Sequence, residues 1–353
     1  MEKTKSLYCY FGELGLFEEN IPGHTFYQVG LLDAISEKYG NVNFDFYNYM
    51  DTDGVDIGTR PTYPDGILGQ VFEGFTQHLV EDYRIGYEDV LLRMSNKEYD
   101  KIFLKARFRN LSTLQKKLKD AQRFETFIKH AIACGYAPSD IVILDTDLSL
   151  SPEFLETIEN LGITREIVSV TIPGIGSKFL ESCLAVHENS PKPNVNSLLY
   201  YGNLSFDNYK EGHAKNPIIN DIINWVEKVT LFNGDTFQLT VAAKETSELN
   251  TWINSLDRAQ LIPRQNREEI WNSFTNSLVS INVSKDLYLQ AGFTPARVYE
   301  SIIFGVIPVS YMKGPHSAMT FETVDDFFEI CKFLSECSAG DYFKILREIA
   351  KTL

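Results

Sequence analysis

The sequence predicts an α/β fold made of two doubly wound domains in succession, each a parallel sheet with helices on both faces. Three observations carry that prediction. Short apolar runs alternate with stretches of helical periodicity along the whole chain. The pattern stops at a polar, proline-bearing segment, HENSPKPNVNS at 187–197, and then restarts. A chain of 353 residues is also too long for one ordinary core and comfortable for two. The expected boundaries are 1–190 for the first domain and 191–335 for the second, with 336–353 as a terminal helix packing back on the first. Parallel sheets with right-handed crossovers gather ligands beyond the carboxyl ends of their strands, so two such domains facing each other would enclose one cleft.

In chain order, Ser6–Phe11 reads as the first strand. A loop with Gly12, Gly15, Pro22 and Gly23 follows, then a helix over Thr25–Lys38 whose Phe26, Val29, Leu32 and Ile35 repeat at helical spacing. Val42–Tyr49 alternates as a strand, and the Gly/Pro/Asp/Thr-rich 51–70 is expected as a long loop before one helix running to Arg93. The strand Lys101–Arg107, a basic helix over Ser112–Cys134 and the strand Ile141–Asp145 come next. Ser151-Pro152-Glu153 opens a helix with a hydroxyl cap and a proline in the first turn, and Ile167–Ile172 closes the half as a strand. After the linker come strands at Ser197–Tyr201, Thr230–Phe232, Gln238–Ala242, Leu278–Val283 and Val306–Tyr311. Helices are expected over Pro217–Glu227, near 247–256 and 267–277, over Pro295–Phe304, and through most of Val324–Leu353.

Composition narrows the class. Hydrophobic residues make up 44% and charged residues 23%, a globular balance. No apolar run is long enough for a membrane helix, and the charged start MEKTKSLYCYFGEL is no secretory signal, so a soluble, cytoplasmic protein with no membrane partner is expected. Five scattered cysteines never pair as CxxC, which reads as buried thiols rather than a disulfide frame or zinc site. The net charge is −15, yet Lys97–His130 holds ten Lys/Arg against four acids, a local +6 that leaves −21 on the rest. GxxxxGK[ST], HExxH and GxSxG are absent, and no GxGxxG follows the first strand. Pro173-Gly174-Ile175-Gly176-Ser177 begins like a glycine fingerprint but reads as an interdomain loop, and Trp225, Trp252 and Trp271 read as packing.

The strongest local signal is Phe293-Thr294-Pro295-Ala296-Arg297-Val298-Tyr299-Glu300, continuing to Gly305, Pro308 and Val309. Pro295 starts the helix, Gly305 ends it, and Arg297 and Glu300 share one face. A helix N-terminus bearing an arginine suits a diphosphate, and a carboxylate one turn on can accept from two ribose hydroxyls. From spacing alone an ordinary i,i+3 ion pair stays open.

The pattern R-x-x-E-x-x-x-x-G-x-x-P-V resembles the donor-nucleotide helix of the GT-B glycosyltransferases, enzymes of two Rossmann-like domains facing across a cleft. That resemblance implies a glycosyltransferase with a UDP-sugar co-substrate and no tightly bound cofactor. It gives Arg297 the phosphate and Glu300 the ribose, with Thr294 at the helix start. Leu199-Tyr200-Tyr201-Gly202-Asn203-Leu204-Ser205-Phe206 is further similar to the strand–Gly–Gly–Ser–Phe turn of the DNA β-glucosyltransferases of T-even phages. There Gly202 and Ser205 would approach the phosphates through backbone amides. Asn203 departs from the second glycine, and Lys210, His213 and Lys215 stand where arginines would follow. Ile143-Leu144-Asp145-Thr146-Asp147-Leu148 is similar to the strand end that carries the general base in that family. Asp147 is therefore the candidate base of an inverting transfer, Asp145 the fallback, and a capping turn for the next helix the structural alternative. In this architecture the Gly12–Phe26 loop lies under sugar and acceptor, which singles out Gly23 and His24.

The phage likeness implies double-stranded DNA with 5-hydroxymethylpyrimidines as acceptor, its phosphates met by Lys105, Arg107, Arg109, Lys116, Lys117 and Arg123. A solvated helical face is the alternative for that run. No metal-ligand cluster stands out, and Mg²⁺ remains an option for assisting the leaving diphosphate. Two other readings stay open: the same fold acting on a saccharide, lipid or protein acceptor, and an inactive nucleotide-binding protein.

Overall fold

The computed structural model describes residues 4–11, 22–40, 42–48, 63–82, 85–106, 114–146, 152–163, 165–169, 176–202, 204, 206–208, 213–214, 217–230, 234–263, 267–283, 296–312 and 319–352. The chain divides into two compact units: Met1–Glu19 with His24–Phe179, and Asn20–Gly23 with Leu180–Leu353.

The first unit runs β1 (Thr4–Phe11), α1 (Pro22–Tyr39), β2 (Val42–Asn48), α2 (Gly66–Leu79), β3 (Val80–Asp82), α3 (Tyr87–Ser95), β4 (Lys101–Ala106), α4 (Leu114–Ala133), β5 (Ile141–Thr146), α5 (Pro152–Asn160) and β6 (Arg165–Ser169). Its sheet is parallel in the order β3-β2-β1-β4-β5-β6. Side-chain alternation sorts two cores onto its two faces. Leu7, Cys9, Ile102, Leu104, Ile141 and Ile143 meet Val90 and Met94 of α3 and Phe127, Ile128 and Ala131 of α4. Tyr8, Phe44, Phe46, Phe103, Val142 and Leu144 meet Leu31, Leu32 and Ile35 of α1. Both faces are covered, which is why the central strands carry apolar residues at almost every position.

Two polar devices fix this unit. Asp45 on β2 is fully buried and held by the Arg93 Nη1 at 2.6 Å, the Tyr99 hydroxyl at 2.8 Å and the Lys5 Nζ at 3.4 Å. Arg93 also reaches Asp82 of β3 at 3.0 Å, so it ties α3 to the sheet edge. The second device sits where α6 (Ser177–His187) begins. Asp33 accepts from the Phe179 amide at 2.9 Å, and Glu37 accepts from the Lys178 amide and the Ser177 hydroxyl. Carboxylates of α1 thus satisfy the orphan amides of α6. Gly176, in the former fingerprint, has no room for a side chain, since a Cβ would stand 2.0 Å from the Asp33 carboxylate.

The second unit holds β7 (Ser197–Tyr201), the hairpin strands β8 (Phe206–Asn208) and β9 (His213–Ala214), α7 (Pro217–Lys228), β10 (Gln238–Ala243), α8 (Ser247–Ile253), β11 (Ala259–Pro263), α9 (Arg267–Thr275) and β12 (Val279–Asn282). It continues with α10 (Ala296–Ile303), β13 (Ile307–Tyr311), β14 (Thr320–Phe321), α11 (Val324–Glu336) and α12 (Ala339–Ala350). The parallel order is β11-β10-β7-β12-β13-β14. Counted from each unit's first strand, both sheets run 3-2-1-4-5-6, the doubly wound order of dinucleotide-binding folds.

Several expectations are corrected. The unit division falls inside α6 rather than in 187–197, because Leu180 and Leu184 already pack into the second core. The single helix to Arg93 is α2, β3 and α3 instead, and α1 starts at Pro22 rather than at Thr25. Of the strand expected over Thr230–Phe232, Thr230 makes an isolated bridge to Thr236, and the rest lies outside the described residues. The terminal helix, expected on the first domain, belongs to the second core: Tyr342, Phe343, Leu346 and Ile349 pack there among Leu278, Ile307 and Val309. Tyr342 is fully buried; its hydroxyl donates to the Leu278 carbonyl at 2.6 Å and accepts from the Ile307 amide at 3.1 Å. Arg347 of α12 pairs with Glu181 at 2.7 Å and with Glu188.

Candidate functional site

In the second unit the chain builds β7, β10 and β11 outward in one direction, then starts again at β12 and builds β13 and β14 in the other. The carboxyl ends of β7 and β12 therefore flank the point where strand order reverses, the place where open parallel sheets bind ligands. Arg297, in the first turn of α10, reaches this point. Its Nη1 donates to the carbonyl of Tyr201, the last residue of β7, at 3.0 Å. Its Nη2 donates to the carbonyl of Val283, just past β12, at 3.4 Å. The guanidinium thus bridges the two strand ends, and among the described residues no ion pair joins it to Glu300. The ordinary i,i+3 pair is not what Arg297 makes.

Gly202 follows Tyr201 directly. Its amide donates to the Ala242 carbonyl of β10 at 3.0 Å, so that N–H extends the sheet ladder and does not point at a ligand. What the glycine provides is space: a Cβ at Gly202 would lie 2.3 Å from the Arg297 Nη1 and 3.4 Å from the Tyr200 hydroxyl. Tyr200 is almost fully buried. Burial holds its phenol proton on, and the nearby guanidinium acts in the opposite sense.

Glu300 sits one turn along α10 and is only 5% exposed. In the sheet, Asn282 at the end of β12 donates to the Ser310 hydroxyl of β13 at 3.1 Å. Both are buried, as is Ser280, so polar side chains interrupt one face of two central strands near their carboxyl ends. The far end of α10 is also anchored. His187 Nε2 lies 2.8 Å from the Ile303 carbonyl, and a Cβ on Gly305 (φ +79°) would stand 2.7 Å from the His187 ring. Burial pushes the His187 imidazole below its ordinary range, against the opposing pull of that carbonyl, so it serves as a neutral donor.

In the first unit, Asp145 is placed near the carboxyl end of β5; Asp147, next but one in sequence, lies outside the described residues. Gly23 and His24 fall in the first turn of α1. Lys116, Lys117 and Arg123 lie on α4, while Arg107, Arg109, Ser205, Lys210, Lys215 and Thr294 lie outside the described residues. Lys105 is corrected. It sits inside β4 between Tyr10 of β1 and Leu144 of β5 and is 5% exposed. A lysine that grips backbone phosphates must reach solvent, and this one does not. His187 had no sequence signal, since it meets its carbonyl 116 residues away.

Among the described residues no helix is long and apolar enough to cross a membrane, and no three His, Cys, Asp or Glu side chains group as a metal site requires. No family model matches the sequence, and no curated protein matches it. Solved structures are similar over nearly the whole chain at low identity. The Escherichia coli heptosyltransferase WaaC with ADP matches at 9% identity and TM-score 0.43, covering 94% of this chain and 100% of that one. The Methanocaldococcus jannaschii UDP-GlcNAc 2-epimerase in complex with UDP-GlcNAc and UDP matches at 8% and 0.41, covering 99% of both. The DNA-modifying enzyme β-glucosyltransferase, solved with and without uridine diphosphoglucose, matches at 11% and 0.41, covering 98% and 97%.

Proposed function

We propose that this chain is a glycosyltransferase that takes its sugar from a UDP-sugar bound at the carboxyl edge of the second sheet. One observation carries the reading: the Arg297 guanidinium is fixed at the strand ends of β7 and β12, where the strand order reverses. A planar cation at that position suits a diphosphate, and Glu300 one turn on suits the ribose hydroxyls.

In the transfer, the acceptor hydroxyl gives its proton to a carboxylate as its oxygen forms a bond to the anomeric carbon. The bond from that carbon to the diphosphate oxygen breaks, and the electron pair leaves with UDP. Arg297 offsets the charge that grows on the departing diphosphate, where a fixed cation acts most strongly. We assign the base to Asp147, with Asp145 as the alternative, and the acceptor to 5-hydroxymethylpyrimidines in duplex DNA. The cations proposed to face DNA are now Arg107, Arg109, Lys116, Lys117 and Arg123, without Lys105.

Titration calorimetry with UDP tests the centre of this reading. Micromolar-scale binding is expected, weakened about tenfold or more by Glu300→Ala, a loss of roughly 1.4 kcal/mol or more. Asp147→Asn should keep UDP binding and lose transfer to hydroxymethylated DNA. Absence of binding to any nucleoside diphosphate would remove the proposal, and transfer that duplex DNA neither accepts nor competes for would move the acceptor to another class.

A further inference from the structure

The first unit carries a series of stacked rings that no step of the proposed transfer uses. Phe127 of α4 is fully buried, and its ring lies against Tyr47 at a centroid distance of 6.4 Å and an interplanar angle of 17°. Tyr47 is stacked in turn against Tyr87 at 6.0 Å and 24°. Offset stacks at these separations favour and fix the rings that make them. The inner two rings are sealed in the core, whereas Tyr87, the third, is 39% exposed. Its place in the fold gives that exposure a use. Tyr47 is the penultimate residue of β2, and Tyr87 is the first residue of α3, the helix that follows the carboxyl end of β3. The rings therefore stand at the carboxyl edge of the first sheet, the side on which open parallel sheets receive ligands. Tyr47 shares its core with Cys9 of β1 and Leu104 of β4, the two strands between which the order of this sheet reverses. Leu92 is also exposed but lies further along α3, away from that edge, as an ordinary solvated side chain.

We infer that Tyr87 is a platform on which an unstacked base of the acceptor strand comes to rest, with Tyr47 and Phe127 as its backing. This rests on the DNA-acceptor reading above and adds a base contact to a set of cations that would meet only phosphates. Cations grip any polyanion, whereas a stack requires the base itself. A ring already held by its neighbour loses little freedom when another layer is added, and tyrosine has only two side-chain torsions to fix. The chemistry that completes such a stack is a second planar π-face, which every nucleobase offers once it has left its duplex.

The test uses the full chain and two labelled single-stranded oligodeoxynucleotides of equal length and charge in anisotropy titrations at fixed salt. One strand carries pyrimidines including 5-hydroxymethylcytosine, and the other is abasic throughout. Tyr87→Ala should weaken binding of the base-bearing strand about fivefold or more and leave the abasic strand within about twofold. Tyr87→Leu covers Tyr47 with apolar bulk but has no π-face, and should show the same selective loss. Tyr87→Phe and Tyr87→Trp keep the ring and should stay within about twofold on both strands, as should Leu92→Ala. Equal losses on both strands for Tyr87→Leu would overturn the inference. So would a base-bearing affinity that neither Tyr87→Ala nor Tyr87→Leu changes, or one that Tyr87→Phe reduces as much as they do. If the unaltered protein binds neither strand, the acceptor assignment falls together with the inference, and UDP binding, titrated separately, tells whether the donor reading stands.

Discussion

Tyr342→Phe isolates the coupling of α12 to the second sheet. The phenol is fully buried, and its hydroxyl is bonded at once to the Leu278 carbonyl (2.6 Å) and the Ile307 amide (3.1 Å). Burial raises its pKa, so the group stays a neutral donor at any working pH. Phenylalanine fills the same place in the core and leaves almost no cavity, so the loss is purely polar. Two backbone groups at the starts of β12 and β13 would be left without a partner and sealed from water. At about 1–3 kcal/mol for each orphaned group, the expected destabilisation is about 3 kcal/mol. With a urea dependence of about 2–3 kcal/mol per molar, the midpoint should fall by roughly 1 M. Tryptophan fluorescence reads the right part of the molecule, because all three tryptophans, Trp225, Trp252 and Trp271, lie in the second unit. A midpoint shift below about 0.3 M, or an equal shift in a signal from the first unit, would refute the reasoning.

Two further perturbations follow from buried charge. Arg93→Leu leaves the fully buried Asp45 with only Lys5 and the Tyr99 hydroxyl. It should cost about 3 kcal/mol by urea unfolding followed by far-UV circular dichroism, and the added substitution Asp45→Asn should return part of that loss. His187 makes the second unit pH-sensitive: its folded pKa is depressed, so the unfolded chain binds the extra proton first. Stability is complete above the ordinary imidazole range, near about 6.5, and declines as pH falls below it, with a slope of at most about 1.4 kcal/mol per pH unit. His187→Gln should flatten the tryptophan-detected midpoint between about pH 5 and 7, and an unchanged slope would assign the dependence to another group.

The central strands of both sheets were legible because burial on two faces leaves a continuous apolar run, as in Leu198–Tyr201 and Ile141–Leu144. The flanking strands were not. β3 is Val-Glu-Asp, β14 is Thr-Phe, and β11 ends in proline; each is too short or too polar to rise above its surroundings. The helix–glycine–strand frame of α10 showed in sequence because Arg297, Glu300 and Gly305 keep fixed local offsets. The residues that hold that frame come from far away in the chain. Tyr201 and Val283 offer Arg297 only backbone carbonyls, and His187 sits in a helix that sequence assigns no role. Lys105 was misread for a related reason: counting charge along a chain cannot tell a cation on a helix surface from one enclosed in a strand.

The flanks of the two sheets have a practical consequence. β3, β6, β11 and β14 span three, five, five and two residues, and β11 ends on Pro263, which has no N–H to offer. Among the described residues, a neighbouring molecule seeking to add itself rung by rung would find few rungs to template on, and the chain carries an excess of negative charge besides. Crowding this protein to high concentration should therefore leave it dispersed rather than drawn out into fibres.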